Sequence, residues 1–158
     1  METFTMAARV VEHMRDQYLS NSIRLMERSM YSGHYCFAKN SYESGFLSQL
    51  EWNIYTQWFN LLVAKKCTPP KGFIYLRVNP EIAYERIKKR KRPGEEPIPL
   101  AYLEQLHKAH DAFLLEKKDV DSFIKEVPVL VLDCNQEFEA NESLLCKHLD
   151  ALKTFITL

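Results

Sequence analysis

Phe73-Ile74-Tyr75-Leu76-Arg77-Val78-Asn79-Pro80 is the stretch on which the fold turns. Its first six residues are mostly apolar, β-branched or aromatic, and they run continuously rather than alternating. A parallel strand covered on both faces presents that pattern. Asn79-Pro80 then reads as a strand-to-helix corner, with Asn79 at the N-cap and Pro80 in the first turn. Upstream, Thr68-Pro69-Pro70-Lys71-Gly72 is a loop. Two more runs of the same kind lie at residues 23–26 and 127–132.

Helical patterns fill the spaces between these runs. One covers residues 4–18. A second, over residues 46–63, carries two apolar stripes: Leu47, Leu50, Ile54, Trp58 and Leu61 on one side, Trp52, Tyr55, Phe59 and Leu62 on the other. A helix apolar on two sides is either buried deeply or meets a partner subunit, and burial within the monomer is the default expectation. Pro99 opens a further helix to about Lys117. The expected order is helix, strand, two helices, strand, helix, loop, helix, strand, helix. Helices alternating with strands predict an α/β fold, a parallel sheet flanked by helices, as one domain over residues 1–158.

Charge narrows the function classes. Lys plus Arg equals Asp plus Glu, 21 each, so the chain is neutral. Nucleic-acid binders are usually basic, which sets that class back. No apolar run reaches membrane-spanning length, so no membrane partner is expected. The N-terminus has neither a signal-peptide core nor transit-peptide character. Cys36, Cys67, Cys134 and Cys146 form no C-x-x-C pair and read as free thiols in a reducing compartment. His107 and His110 lack the further ligands a zinc site needs, so no metal-ligand set is expected from this protein.

Three clusters carry candidate chemistry. Glu27 and Arg28 follow the run at 23–26, and ligands of open α/β sheets bind beyond strand C-termini. The pair could hold a hydroxyl, a magnesium-bound water or a phosphate; a surface ion pair of little worth is the competing reading. Arg86 and Arg90 are one helical turn apart, and Arg92 follows before Pro93-Gly94. Converging guanidiniums suit a polyphosphate, because each grips two oxygens. The same run also fits dipole compensation, a solvated face or a nuclear-import signal. Glu137 and Phe138, just after the run at 127–132, could hold a base, or could belong to an ordinary turn.

In order along the chain stand Arg24-Leu-Met-Glu-Arg-Ser-Met-Tyr-Ser-Gly-His-Tyr-Cys-Phe-Ala-Lys-Asn40, Tyr42-Glu-Ser-Gly45, Glu51-Trp52 and Ile74-Tyr-Leu-Arg-Val-Asn-Pro80. Tyr84-Glu-Arg-Ile87, Ile98-Pro-Leu-Ala-Tyr-Leu-Glu-Gln-Leu-His107 and Val127-Pro-Val-Leu-Val-Leu-Asp133 follow. Together they resemble the deoxynucleoside kinase family, from about residue 2 to the C-terminus.

The resemblance implies a P-loop-kinase-like fold and ATP-dependent 5′-phosphorylation of deoxynucleosides for nucleotide salvage, with Mg²⁺. It implies that Glu27 and Arg28 stand near the sugar 5′-hydroxyl and the magnesium. Phe37 matches the aromatic that stacks on the substrate base. Arg86, Arg90 and Arg92 match the lid over the ATP phosphates, and Glu95 the lid glutamate at the sugar 3′-hydroxyl, with Glu96 as fallback. Glu137 and Phe138 match the loop that borders the adenine of ATP. Arg9 matches a substrate-site arginine that pairs with an aspartate in cytidine- and purine-directed relatives. Gly33 stands at that aspartate's position, nearer the thymidine and multisubstrate pattern, and His34 stands where relatives have arginine. A homodimer or pairing with full-length subunits, in cytoplasm or mitochondrion, is also implied.

The chain departs from the family pattern at its front. It has four glycines, Gly33, Gly45, Gly72 and Gly94, and none begins a G-x-x-x-x-G-K-[ST] phosphate loop. The resemblance places that loop's strand between the runs at 23–26 and 73–78. The expectation is therefore a shortened form lacking the N-terminal strands and the phosphate loop, inactive by itself. Its rivals are a non-catalytic regulatory or dimerisation form, a nucleoside monophosphate kinase relative, and a nucleic-acid binder using residues 86–92.

Overall fold

The computed structural model describes residues 2–16, 23–64, 66–93, 98–139 and 141–157. Helix α1 spans Glu2–Asp16. A helical stretch then runs through α2 (Met30–Ser32), a π-helical segment Gly33–Ala38, and α3 (Lys39–Glu43). α4 (Gln49–Phe59) passes into a second π-helical segment, Asn60–Ala64. β1 is Phe73–Arg77, α5 Pro80–Arg90 and α6 Leu100–Leu114. α7 is the short Ser122–Lys125, β2 is Val129–Asp133 and α8 is Glu142–Ile156.

β1 and β2 pair in parallel, Phe73 opposite Val129 and Arg77 opposite Asp133. Among the described residues they form a two-stranded sheet flanked by helices: a partial α/β arrangement, mostly helical. Each face is only half covered. Tyr75 is buried, yet Val131 beside it on the same face is exposed; Leu132 is buried, yet Leu76 beside it is 58% exposed. Parallel strands are ordinarily covered on both faces.

The strand expected at residues 23–26 does not form. Those residues lie outside any strand, with Ile23 70% and Leu25 67% exposed. A strand exists only by pairing, and among the described residues no neighbour bridges this run to β1. Arg24 instead donates to the backbone carbonyl and side chain of Glu12 on α1, at 3.0 and 3.3 Å.

The core lies among α1, the 30–43 helical stretch, α4 and α6. Met6, Val10, Tyr31, Cys36, Phe59, Phe113 and Ile124 are all buried there. Each fully buried large apolar side chain contributes about 1.5–3 kcal/mol. Tyr31 anchors it, with its ring edge-on to Phe59, Phe73 and Phe123. Tyr35 ties the core to α7: its hydroxyl donates to Asp121 at 2.7 Å and accepts the Asp121 N–H at 3.1 Å.

The two-striped helix corrects the default of burial within the monomer. A capping box, Ser48 with Glu51, starts α4. Its Tyr55–Phe59 stripe is buried, with Trp52 and Leu62 packed against it. The other stripe faces out, with Leu50, Ile54, Trp58 and Leu61 exposed. A helix on a small core has only one inward face, so the second stripe finds nothing to cover it. α5 begins as expected at Pro80 with Asn79 extended at its N-cap, although the Asn79 side chain makes no capping bond; the end of the first helix, expected near residue 18, lies outside the described residues.

Candidate functional site

A cavity of about 140 Å³ opens between α1 and the 28–37 segment. Thr5, Met6 and Arg9 line it from α1; Arg28, Met30, Gly33 and Phe37 line it from the facing segment, and Tyr55 of α4 closes it. The structure thus brings Arg9, Arg28 and Phe37 together. Glu27 is exposed next to Arg28.

Local sequence explains the geometry. Ser29 caps α2, its hydroxyl accepting the Ser32 N–H at 3.1 Å, while the Ser32 hydroxyl donates to the Ser29 carbonyl at 2.9 Å. Just before this cap Arg28 turns through φ 56°, a left-handed conformation that costs a non-glycine residue about 1–2 kcal/mol. The turn sets the Arg28 guanidinium 5.3 Å from the centre of the Phe37 ring. A cation over an aromatic face is an attractive arrangement. Arg9 donates to the Ser29 carbonyl at 3.3 Å, and its Nη1 lies 3.4 Å from where a side-chain Cβ would stand at Gly33. The missing side chain at Gly33 leaves space beside that guanidinium.

The π-helical segment Gly33–Ala38 orients two rings differently from an ordinary helix. Phe37 points to the cavity and meets the edge of His110 at 5.9 Å. His34 turns inward and stacks within 10° of parallel on Trp52, Tyr55 and Phe59, the last at 3.8 Å. Burial pushes His34 down to about 4, so it is neutral at pH 7. Burial also lowers His110, whose Nδ1 donates to the Leu106 carbonyl at 2.7 Å.

The arginines of α5 behave differently from one another. Arg86 is half-buried and donates to the carbonyls of Cys134, Asn135 and Gln136 at 2.8, 3.2 and 3.3 Å. Arg90 and Arg92 are exposed, either side of Lys91, which ends the helix at φ 49°. Glu137 is exposed in the loop that Arg86 grips, and Phe138 lies edge-on to His148 of α8 at 5.6 Å. Glu95 and its fallback Glu96 fall outside the described residues.

Sequence reasoning missed a polar cluster between β1 and α6. Asp111 of α6 accepts from Arg77 Nε at 3.0 Å and Nη2 at 2.7 Å, and from the Tyr75 hydroxyl at 3.0 Å. His107 lies 3.4 Å from the same carboxylate. The Arg77 guanidinium holds the Asp111 carboxyl below the usual carboxylate range. The i, i+4 spacing of His107 and Asp111 was the available signal. It gave no hint of Arg77, which arrives from another element. Among the described residues, no group of three or more His, Cys, Asp or Glu could hold a metal ion. No helix there is long and apolar enough to cross a membrane.

Residues 1–157 match the deoxynucleoside kinase family model, and the chain belongs to that family. It is 41% identical over 140 residues to deoxycytidine kinase 2 of Gallus gallus, covering 85% of this chain and 52% of that protein. It is 36% identical to the mitochondrial deoxyguanosine kinase of Xenopus laevis over 138 residues, 85% of this chain and 52% of the relative. Against the mitochondrial thymidine kinase 2 of Homo sapiens the identity is 33% over 154 residues, 98% of this chain and 56% of that protein. The chain spans about half the length of the curated relatives it matches.

Proposed function

We propose that this chain is the nucleoside-binding and lid portion of a deoxynucleoside kinase domain, whose reaction moves the ATP γ-phosphoryl group to a deoxynucleoside 5′-hydroxyl. The observation that carries the reading is the cavity in which Arg9, Arg28 and Phe37 converge. An aromatic face with a cation beside it suits a flat base joined to a polar sugar. In this reading Phe37 stacks on the base and Arg9 bonds its edge. Glu27 and Arg28 stand by the 5′-hydroxyl. Arg90 and Arg92 supply charge to the phosphates as the lid closes, with Glu95 at the sugar 3′-hydroxyl. Glu137 and Phe138 border the adenine.

Magnesium is held in such sites by one or two carboxylates plus phosphate oxygens, and Glu27, exposed beside the cavity-lining Arg28 in sequence, is the carboxylate available to it. When bound, it would neutralise charge on the transferring phosphoryl group. Phosphoryl transfer depends chiefly on positioning and charge stabilisation. The sequence contains no phosphate loop, and transfer by this chain alone is expected to be undetectable. Binding of the nucleoside is separable from transfer. Calorimetric titration with thymidine and the other deoxynucleosides should show binding that Phe37→Ala weakens about tenfold, the effect of losing one base–aromatic stack. Unchanged affinity in Phe37→Ala would remove the cavity from the reading. A companion assay of 5′-monophosphate formation from Mg-ATP tests transfer directly. Robust product from the chain alone would overturn the expectation of inactivity.

A second reading is favoured by the exposed stripe of α4. Leu50, Ile54, Trp58 and Leu61 form an apolar face fit for another subunit, either a second copy or a full-length relative. It makes the chain a pairing module. Both readings allow cytoplasm or mitochondrion.

A further inference from the structure

Arg86 does something other than wait for phosphate. Both terminal nitrogens of its guanidinium are committed to backbone: Nη1 to the Cys134 carbonyl at 2.8 Å, Nη2 to those of Asn135 and Gln136 at 3.2 and 3.3 Å. A second fastening lies about two helical turns away. The Asn135 side chain accepts the Asn79 N–H at 2.8 Å, at the N-cap of α5, and the Asn135 N–H donates to Asp133 Oδ1 at 2.9 Å. The turn after β2 is therefore tied to α5 at two points, Asn79 and Arg86. A planar fork satisfying three carbonyls is a fixed geometry that a flexible ammonium cannot copy. Those carbonyls have no ladder partner past the end of β2, so the arginine also satisfies groups that would otherwise face water or stay unpaired.

We infer that Arg86 is a positioning residue: it fastens the loop that bears Glu137 and Phe138 to the helix that bears Arg90, so that loop and helix move as one body. Arg90 stands four positions after Arg86 on α5, so any shift of the loop is delivered to the lid about one turn of helix away. The consequence for nucleotide binding rests on the reading of Glu137 and Phe138 as the base border. On that reading, a nucleotide base seated on the loop sets the position of the lid arginines.

Two measurements on the full chain separate the possibilities. Amide hydrogen exchange at residues 135–138 should quicken at least about tenfold in Arg86→Ala, and nearly as much in Arg86→Lys, while Lys89→Ala leaves it unchanged. Unchanged exchange in Arg86→Ala overturns the clamp. Calorimetry with ATP and with inorganic tripolyphosphate then distinguishes positioning from direct phosphate contact. Arg86→Ala is expected to weaken ATP about tenfold and leave tripolyphosphate alone. Equal weakening of both would make Arg86 a phosphate ligand and overturn the positioning role. If the unaltered chain binds ATP no better than tripolyphosphate, the base-border reading fails, and the exchange result decides the clamp by itself.

Discussion

His34 shows how one residue can be placed by its neighbours rather than by its own chemistry. It is a polar ring held between Phe59, Tyr55 and Trp52, with burial keeping it uncharged. A histidine whose folded value lies near 4, against an ordinary value of 6.5, binds fewer protons folded than unfolded between those limits. Stability therefore rises with pH through that window and is lost as pH falls from 6.5 towards 4. The His34 share of that loss is up to about 3 kcal/mol. In His34→Phe, which keeps a flat ring in the stack, denaturant unfolding at pH 7 and pH 4.5 should show a clearly smaller difference than in the parent. His110, also lowered by burial, acts in the same direction and remains in both proteins. An equal pH slope in the two would mean that folding leaves His34 at its ordinary value.

At the scale of elements, the tie between β1 and α6 is a matter of three side chains around one carboxylate. Asp111 accepts from Arg77 and Tyr75, and lies beside His107. Removing its charge leaves the partly buried Arg77 guanidinium without its ion-pair partner. Asp111→Asn is expected to cost about 2 kcal/mol at pH 7, read from the urea midpoint at unchanged slope. The carboxyl is held below its usual range, so this contribution is present at neutral pH and fades as pH falls through the acid range. The difference between parent and Asp111→Asn should accordingly narrow on acidification.

At the scale of the whole molecule, uncovered apolar surface is the leading feature. The outer stripe of α4 is exposed, as are Phe46 at 81% and Leu76 at 58%. Contiguous apolar surface of this kind marks an association site. Sedimentation equilibrium should show self-association of the chain, and Ile54→Glu, at the centre of the stripe, should weaken it about thirtyfold or more. A chain that stays monomeric at high concentration would set the pairing reading aside. Association insensitive to Ile54→Glu would move it to another face, with the open sheet as the next place to look.

The sequence alone determined much at short range. β1, β2 and α5 were legible because continuous apolar runs, a Pro-bearing corner and helical spacing are local signals. The motifs in their order identified the family and marked Arg9, Arg28 and Phe37, which the fold then gathers around one cavity. Other features were decided only in three dimensions. The run at 23–26 has strand character but no strand, because pairing is supplied by a neighbour and not by the run itself. Leu50 and Tyr55 look alike in the helical pattern, yet one faces water and the other the core, because the fold covers a single side of α4. Arg86 and Arg90 share a spacing and a charge, but nothing in that spacing says that Arg86 meets three carbonyls from a segment 48 to 50 residues further along the chain. Periodicity records which residues could share a face; what that face meets depends on contacts distant in sequence, and only the tertiary structure fixes those.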